Sequence, residues 1–117
     1  MKIDSAYLAV IDRKRAESFW TEALQQQPSL SNDSFTFFDI DGFLFGLFDP
    51  ASVSEQIHMG NNCILNIRVK NADKEFQRLK KISRIAMPLN SVGIYRVFQI
   101  EDSEGNIVEF YSSGENT

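Results

Sequence analysis

Cysteine and histidine are nearly absent from this chain, which carries one of each in 117 residues, Cys63 and His58. A lone cysteine excludes an intrachain disulfide, and its place in an apolar run reads as a small core residue in a reducing compartment. A lone histidine removes the commonest metal donor and the usual base for a serine nucleophile. His58 itself lies in a polar stretch and reads as a solvated surface residue. Positive charge is also in deficit. There are 12 Lys and Arg against 16 Asp and Glu, a net charge of −4, and the basic residues are scattered, which argues against a nucleic-acid partner. No apolar run approaches the ~18 residues of a membrane span, and the first residues lack the apolar core of a signal peptide. The expectation is a cytoplasmic protein with neither a membrane nor a nucleic-acid partner. Glycine is sparse as well: Asp41-Gly42 and Glu104-Gly105 are isolated turn glycines, so no phosphate-cradling loop is present.

With 43% hydrophobic and 24% charged residues, the chain suits one globular domain, 1–117, with a core of its own. Residues 3–10 alternate, with Ala6, Leu8 and Val10 on one face and Ser5, Tyr7 and Ala9 on the other, as in a half-buried strand. Asp12 then offers an N-cap, and Ala16, Phe19, Trp20, Ala23 and Leu24 follow at helical spacing, with Arg13, Lys14, Glu17 and Gln25 on the outer face and Pro28 as the stop. A short strand near 29–31 precedes 35–40 and 43–48, two β-rich runs joined by the hairpin signal Asp41-Gly42. Asp49-Pro50 closes the pattern, and 51–61 reads as a linker.

The order then repeats. Cys63, Leu65, Ile67 and Val69 alternate with Ile64, Asn66 and Arg68. Asn71 caps a second helix with Phe76 and Leu79 inward, a short strand is expected over 82–87, a loop from Pro88 to Gly93, and a strand from Tyr95 to Ile100. A Glu-Gly-Asn turn leads into a last strand, where Glu109 is a carboxylate among Ile107, Val108, Phe110 and Tyr111. Asp102 and Glu104 read as solvent-facing turn residues. Each half is therefore β-α-β-β-β, about 1–50 and 62–114, with Val10 answering to Val69, Gly42 to Gly105, Gly46 to Glu109 and Ser5 to Ile64. The expected fold is α+β, two tandem units forming a concave mixed sheet with helices outside.

Ile3-Asp4-Ser5-Ala6-Tyr7-Leu8-Ala9-Val10-Ile11-Asp12, then Ala16 and Phe19-Trp20, together with Tyr95-Arg96-Val97-Phe98 and Asp102-Ser103-Glu104-Gly105-Asn106-Ile107-Val108-Glu109-Phe110, resemble the vicinal-oxygen-chelate superfamily. That superfamily includes glyoxalase I, extradiol dioxygenases, fosfomycin-resistance enzymes and bleomycin-resistance proteins. The resemblance implies a divalent metal in some members, held from four equivalent strand positions, which here carry Ser5, Gly46, Ile64 and Glu109. One carboxylate and one hydroxyl do not satisfy a divalent ion, so no metal, cofactor or catalytic residue is expected.

Strand alternation assigns Tyr7, Phe48, Asn66, Arg68, Glu109 and Tyr111 to a ligand-binding face. Aromatic rings there suit a flat or cationic small molecule. Two readings of Glu109 stay open, a partner for a ligand cation or an ion pair with Arg68. Tyr7 and Phe48 are open to a reading as packing, and Arg96 to one as an exposed strand residue. The leading expectation is a metal-independent, homodimeric small-molecule binder of the bleomycin-resistance type. The alternatives are a metal-dependent lyase or dioxygenase with relocated ligands such as Asp4 and Asn66, and a non-catalytic dimerisation domain.

Overall fold

The computed structural model describes residues 2–54 and 63–113, so His58 and the 55–61 part of the expected linker lie outside the described residues. The chain divides into two compact units, Met1–Met59 and Gly60–Thr117. Each carries one α-helix against one four-stranded mixed sheet, the α+β repeat expected from the sequence. No helix among the described residues is long and apolar enough to cross a membrane.

The first unit runs β1 (Ser5–Ala9), α1 (Arg13–Leu24), β2 (Leu30–Ser31), β3 (Phe35–Ile40) and β4 (Phe43–Phe48). Its sheet has the order β1-β4-β3-β2, with β1 parallel to β4. Asp12 caps α1 by accepting the Arg15 N–H at 3.0 Å, which satisfies a donor the helix itself leaves orphaned. The helix ends ahead of Pro28, because Gln25 turns left-handed at φ 54°. Trp20 is fully buried and meets Phe45 at 4.6 Å between ring centroids. Phe19 and Phe43 are only half-buried at the margin of the core. Asp41 (φ 53°) and Gly42 (φ 89°) form the two-residue turn their identities announce. Beyond β4, Asp49 caps a single 3₁₀ turn, Pro50–Val53, at the start of the stretch read as linker.

The outer face of α1 is less solvated than its charges suggested. Arg13 Nη1 donates to Thr36 Oγ1 at 2.8 Å and to Ser31 Oγ at 3.2 Å, while Glu17 Oε1 accepts from Thr36 at 2.8 Å and also from Ser31. Thr36 is fully buried, so these bonds satisfy a hydroxyl that burial would otherwise orphan. The Ser31 hydroxyl, helped by Thr36 and Arg13, holds the Glu17 carboxyl below its ordinary pKa against the opposing effect of burial. A depressed folded pKa contributes stability above the unfolded value and loses it as pH falls through the folded one. Stability should therefore decline below the usual glutamate value of 4.5. Glu17→Gln should flatten that acid limb in urea melts taken from pH 6 down to about pH 3, and an unchanged limb would remove Glu17 as its source.

The second unit runs β5 (Leu65–Arg68), α2 (Ala72–Leu79), β6 (Arg84–Val92), β7 (Tyr95–Glu101) and β8 (Ile107–Ser113), in the sheet order β5-β8-β7-β6. Its register repeats the first. Tyr7 stands opposite Gly46 as Asn66 stands opposite Glu109, and the Val10 N–H meets the Phe48 carbonyl as the Val69 N–H meets that of Tyr111, both at 2.8 Å. Asn71 caps α2 through the Lys74 N–H at 3.0 Å, and the buried Ser112 hydroxyl accepts the Ala72 N–H at 3.0 Å. Arg96, open to a reading as an exposed strand residue, grips Asp73 of α2 with Nε–Oδ1 at 3.0 Å and Nη2–Oδ2 at 3.1 Å. This bidentate bond lowers the Asp73 pKa and raises that of Arg96.

Three local expectations are corrected. Cys63 is exposed and precedes β5, so it is not a core residue. Residues 88–92 belong to a nine-residue strand rather than a loop. Pro88 is tolerated there because β6 is an edge strand whose register shifts between Met87 and Asn90, where no ladder N–H is required of it. Asp102 is only 6% exposed, not solvent-facing. Its Oδ1 accepts the backbone N–H of Glu104 at 2.9 Å and of Asn106 at 2.8 Å.

Candidate ligand site

Strand β8 alternates sharply. Val108, Phe110 and Ser112 are buried, whereas Ile107, Glu109, Tyr111 and Ser113 are half-buried on the opposite face. Asn66 and Tyr95 are exposed on the strands flanking that face, and Val97 and Met87 add apolar floor. Together Asn66, Met87, Val92, Tyr95, Val97, Glu109 and Tyr111 line an open cavity of about 520 Å³, within the range of small-molecule sites. Tyr95 and Tyr111 meet edge to face, with centroids 5.8 Å apart and planes at 76°. Glu109 is the charged side chain of this lining, and no lysine or arginine is among those residues.

Glu109 does not pair with Arg68. Its Oε1 accepts a hydrogen bond from Gln99 Nε2 at 3.0 Å, because Gln99 stands directly opposite it on β7. Arg68 lies two register pairs along, opposite Tyr111, and is exposed. Of the six expected binding residues, the structure brings Asn66, Glu109 and Tyr111 into this cavity. Arg68 is beside it on β5 without lining it. Tyr7 and Phe48 belong to the first unit and touch each other, with centroids 5.6 Å apart. Sequence reasoning missed Met87, Val92, Tyr95 and Val97 of the lining, and Gln99 beside Glu109. The period-two pattern of β7 already placed Tyr95, Val97 and Gln99 on one face, so a pairing of β7 with β8 would have found Gln99.

The equivalent position in the first unit is closed. Gly46 corresponds to Glu109, and the Phe37 ring lies across it. A Cβ added there would sit 2.5 Å from Phe37 Cε1 and 3.1 Å from Tyr7 Cβ. Phe37 stacks on Phe35 at 5.4 Å and Phe35 on Phe48 at 4.6 Å, so aromatic side chains fill this face.

A profile of the Glyoxalase/Bleomycin resistance protein/Dioxygenase superfamily matches residues 2–110, and the chain belongs to that superfamily. Solved structures share the fold at low identity. A glyoxalase-related enzyme from Fulvimarina pelagi has a TM-score of 0.82 at 15% identity, covering 97% of this chain and 88% of that one. A lactoylglutathione lyase from Agrobacterium tumefaciens has a TM-score of 0.79 at 18% identity, covering 95% and 92%. A glyoxalase/bleomycin resistance protein/dioxygenase family enzyme from Burkholderia phytofirmans PsJN has a TM-score of 0.81 at 12% identity, covering 97% and 99%. No curated protein matches.

The metal of the superfamily's metal-dependent members does not fit the described residues. Among the described residues no group of three His, Cys, Asp or Glu could hold an ion. Glu109 spends one oxygen on an amide donor, and Gly46 has no donor and lies under a phenyl ring.

Proposed function

We propose that this protein is a metal-independent small-molecule binder that takes a flat, cationic ligand in the cavity of its second unit. The observation that carries this is one carboxylate, Glu109, at the floor of a cavity walled by Tyr95 and Tyr111, with no basic side chain in the lining. A cation held against tyrosine faces gains from both the carboxylate and the ring quadrupoles. The Gln99 amide fixes one oxygen of Glu109 and leaves Oε2 without a protein partner among the described residues, ready for an N–H donor.

The test is a thermal-shift screen of planar aromatic cations, neutral aromatics and aromatic anions, followed by titration of the best cation. Glu109→Gln should keep the fold, since the amide still accepts from Gln99, and should weaken cation binding about tenfold, as loss of one partly screened charge contact implies. Equal affinity in the variant, or a preference for anions, would reject the reading.

A further inference from the structure

Asn66 gives the cavity a second acceptor beside Glu109, and the pair defines a finer chemistry than charge alone. The two residues are direct register partners on the parallel strands β5 and β8. Registered partners project to the same face, their backbones about 4.8 Å apart. Both side chains line the cavity. The Asn66 amide has no hydrogen-bond partner among the described residues, and Glu109 is held at one oxygen by Gln99.

Resting on the reading above, we infer that the cavity selects ligands carrying two parallel N–H donors on an aromatic body, the amidinium and guanidinium class, over simple ammonium ions. One N–H meets Glu109 Oε2 and the other meets Asn66 Oδ1, while the aromatic body lies against Tyr95 and Tyr111. A planar fork suits two acceptors on neighbouring strands, where a compact ammonium makes its one strong contact with the carboxylate alone. Gln99 is a positioning residue here. By donating to Oε1 it fixes the carboxylate plane and leaves the other oxygen for the ligand.

Titration of the intact chain with naphthamidine, naphthylmethylamine and naphthoate separates this inference from the reading it rests on. The expected order is naphthamidine tightest, naphthylmethylamine about tenfold weaker, as one lost charge-assisted hydrogen bond implies, and naphthoate not bound. Asn66→Leu should close the tenfold gap, because it weakens naphthamidine far more than naphthylmethylamine. Asn66→Asp, which keeps an acceptor in the same place, should tighten both cations with naphthamidine still the stronger, which keeps the test independent of any effect of leucine on folding. Equal affinity for the two cations in the native protein, or a gap that survives Asn66→Leu, overturns the inference and leaves the cation reading standing. Failure of both cations to bind overturns both.

Discussion

Replacing Gly46 by glutamate should destabilise the protein by about 3 kcal/mol, even though glutamate stands at the matching position of the second unit. The new Cβ would meet Phe37 Cε1 at 2.5 Å and Cδ1 at 2.8 Å, with Tyr7 Cβ at 3.1 Å on the other side. Phe37 has little room to withdraw, because its ring stacks on Phe35 and Phe35 stacks on Phe48. Overpacking alone costs roughly 1 to 3 kcal/mol, and setting a carboxylate among phenyl rings adds to it. The second unit shows the remedy, since Gln99 occupies beside Glu109 the place that Phe37 takes beside Gly46. Phe37→Gln should therefore rescue Gly46→Glu, with a favourable coupling of about 1 to 3 kcal/mol in a double-mutant cycle followed by urea denaturation. Additive losses would show that ring and glycine are not paired in this sense.

The same pair explains which parts of this molecule were legible in its sequence. The caps Asp12 and Asn71, the Asp41-Gly42 turn and the repeated strand phase are local signals, and each is found where its residues put it. Glu109 stood out for the same reason, a charge inside an apolar strand. Its partner did not, because Gln99 is chosen by the register of β7 on β8 and not by anything within a few residues of either. Phe37 over Gly46 is a second case. A glycine in a strand reads as a missing side chain, and only the neighbouring strand reveals that a phenyl ring takes the space. Pro88 misled in the opposite direction, since a ring that forbids a central strand is harmless on an edge with a shifted register. Tyr7 and Phe48 share one face of the first sheet, but Phe48 is buried there and the two rings are partners of each other.

Loss of Asp102 should be costly for a turn residue. It lies in the turn between β7 and β8, with its own N–H bonded to the Asn106 carbonyl at 2.9 Å and its carbonyl accepting the Gly105 N–H at 3.1 Å. Its carboxylate then takes the N–H groups of Glu104 and Asn106 and the Asn106 side-chain amide, the last at 3.2 Å to Oδ1 and 3.0 Å to Oδ2. Gly105 completes the turn at φ 82°, a left-handed conformation that glycine adopts without strain. Removing a nearly buried acceptor with several donors aimed at it leaves those donors desolvated and unpaired, so Asp102→Ala should cost about 2 to 4 kcal/mol. Asp102→Asn keeps an acceptor oxygen but loses the charge, and should fall between the two. The turn also sets where β8 begins, and therefore where Glu109 and Tyr111 stand against Asn66 and Gln99. At a temperature where Asp102→Asn remains folded, its affinity for a planar cation should fall together with its stability. A variant that loses stability by less than about 0.5 kcal/mol, or one that is destabilised with affinity intact, would separate the turn from the site it feeds.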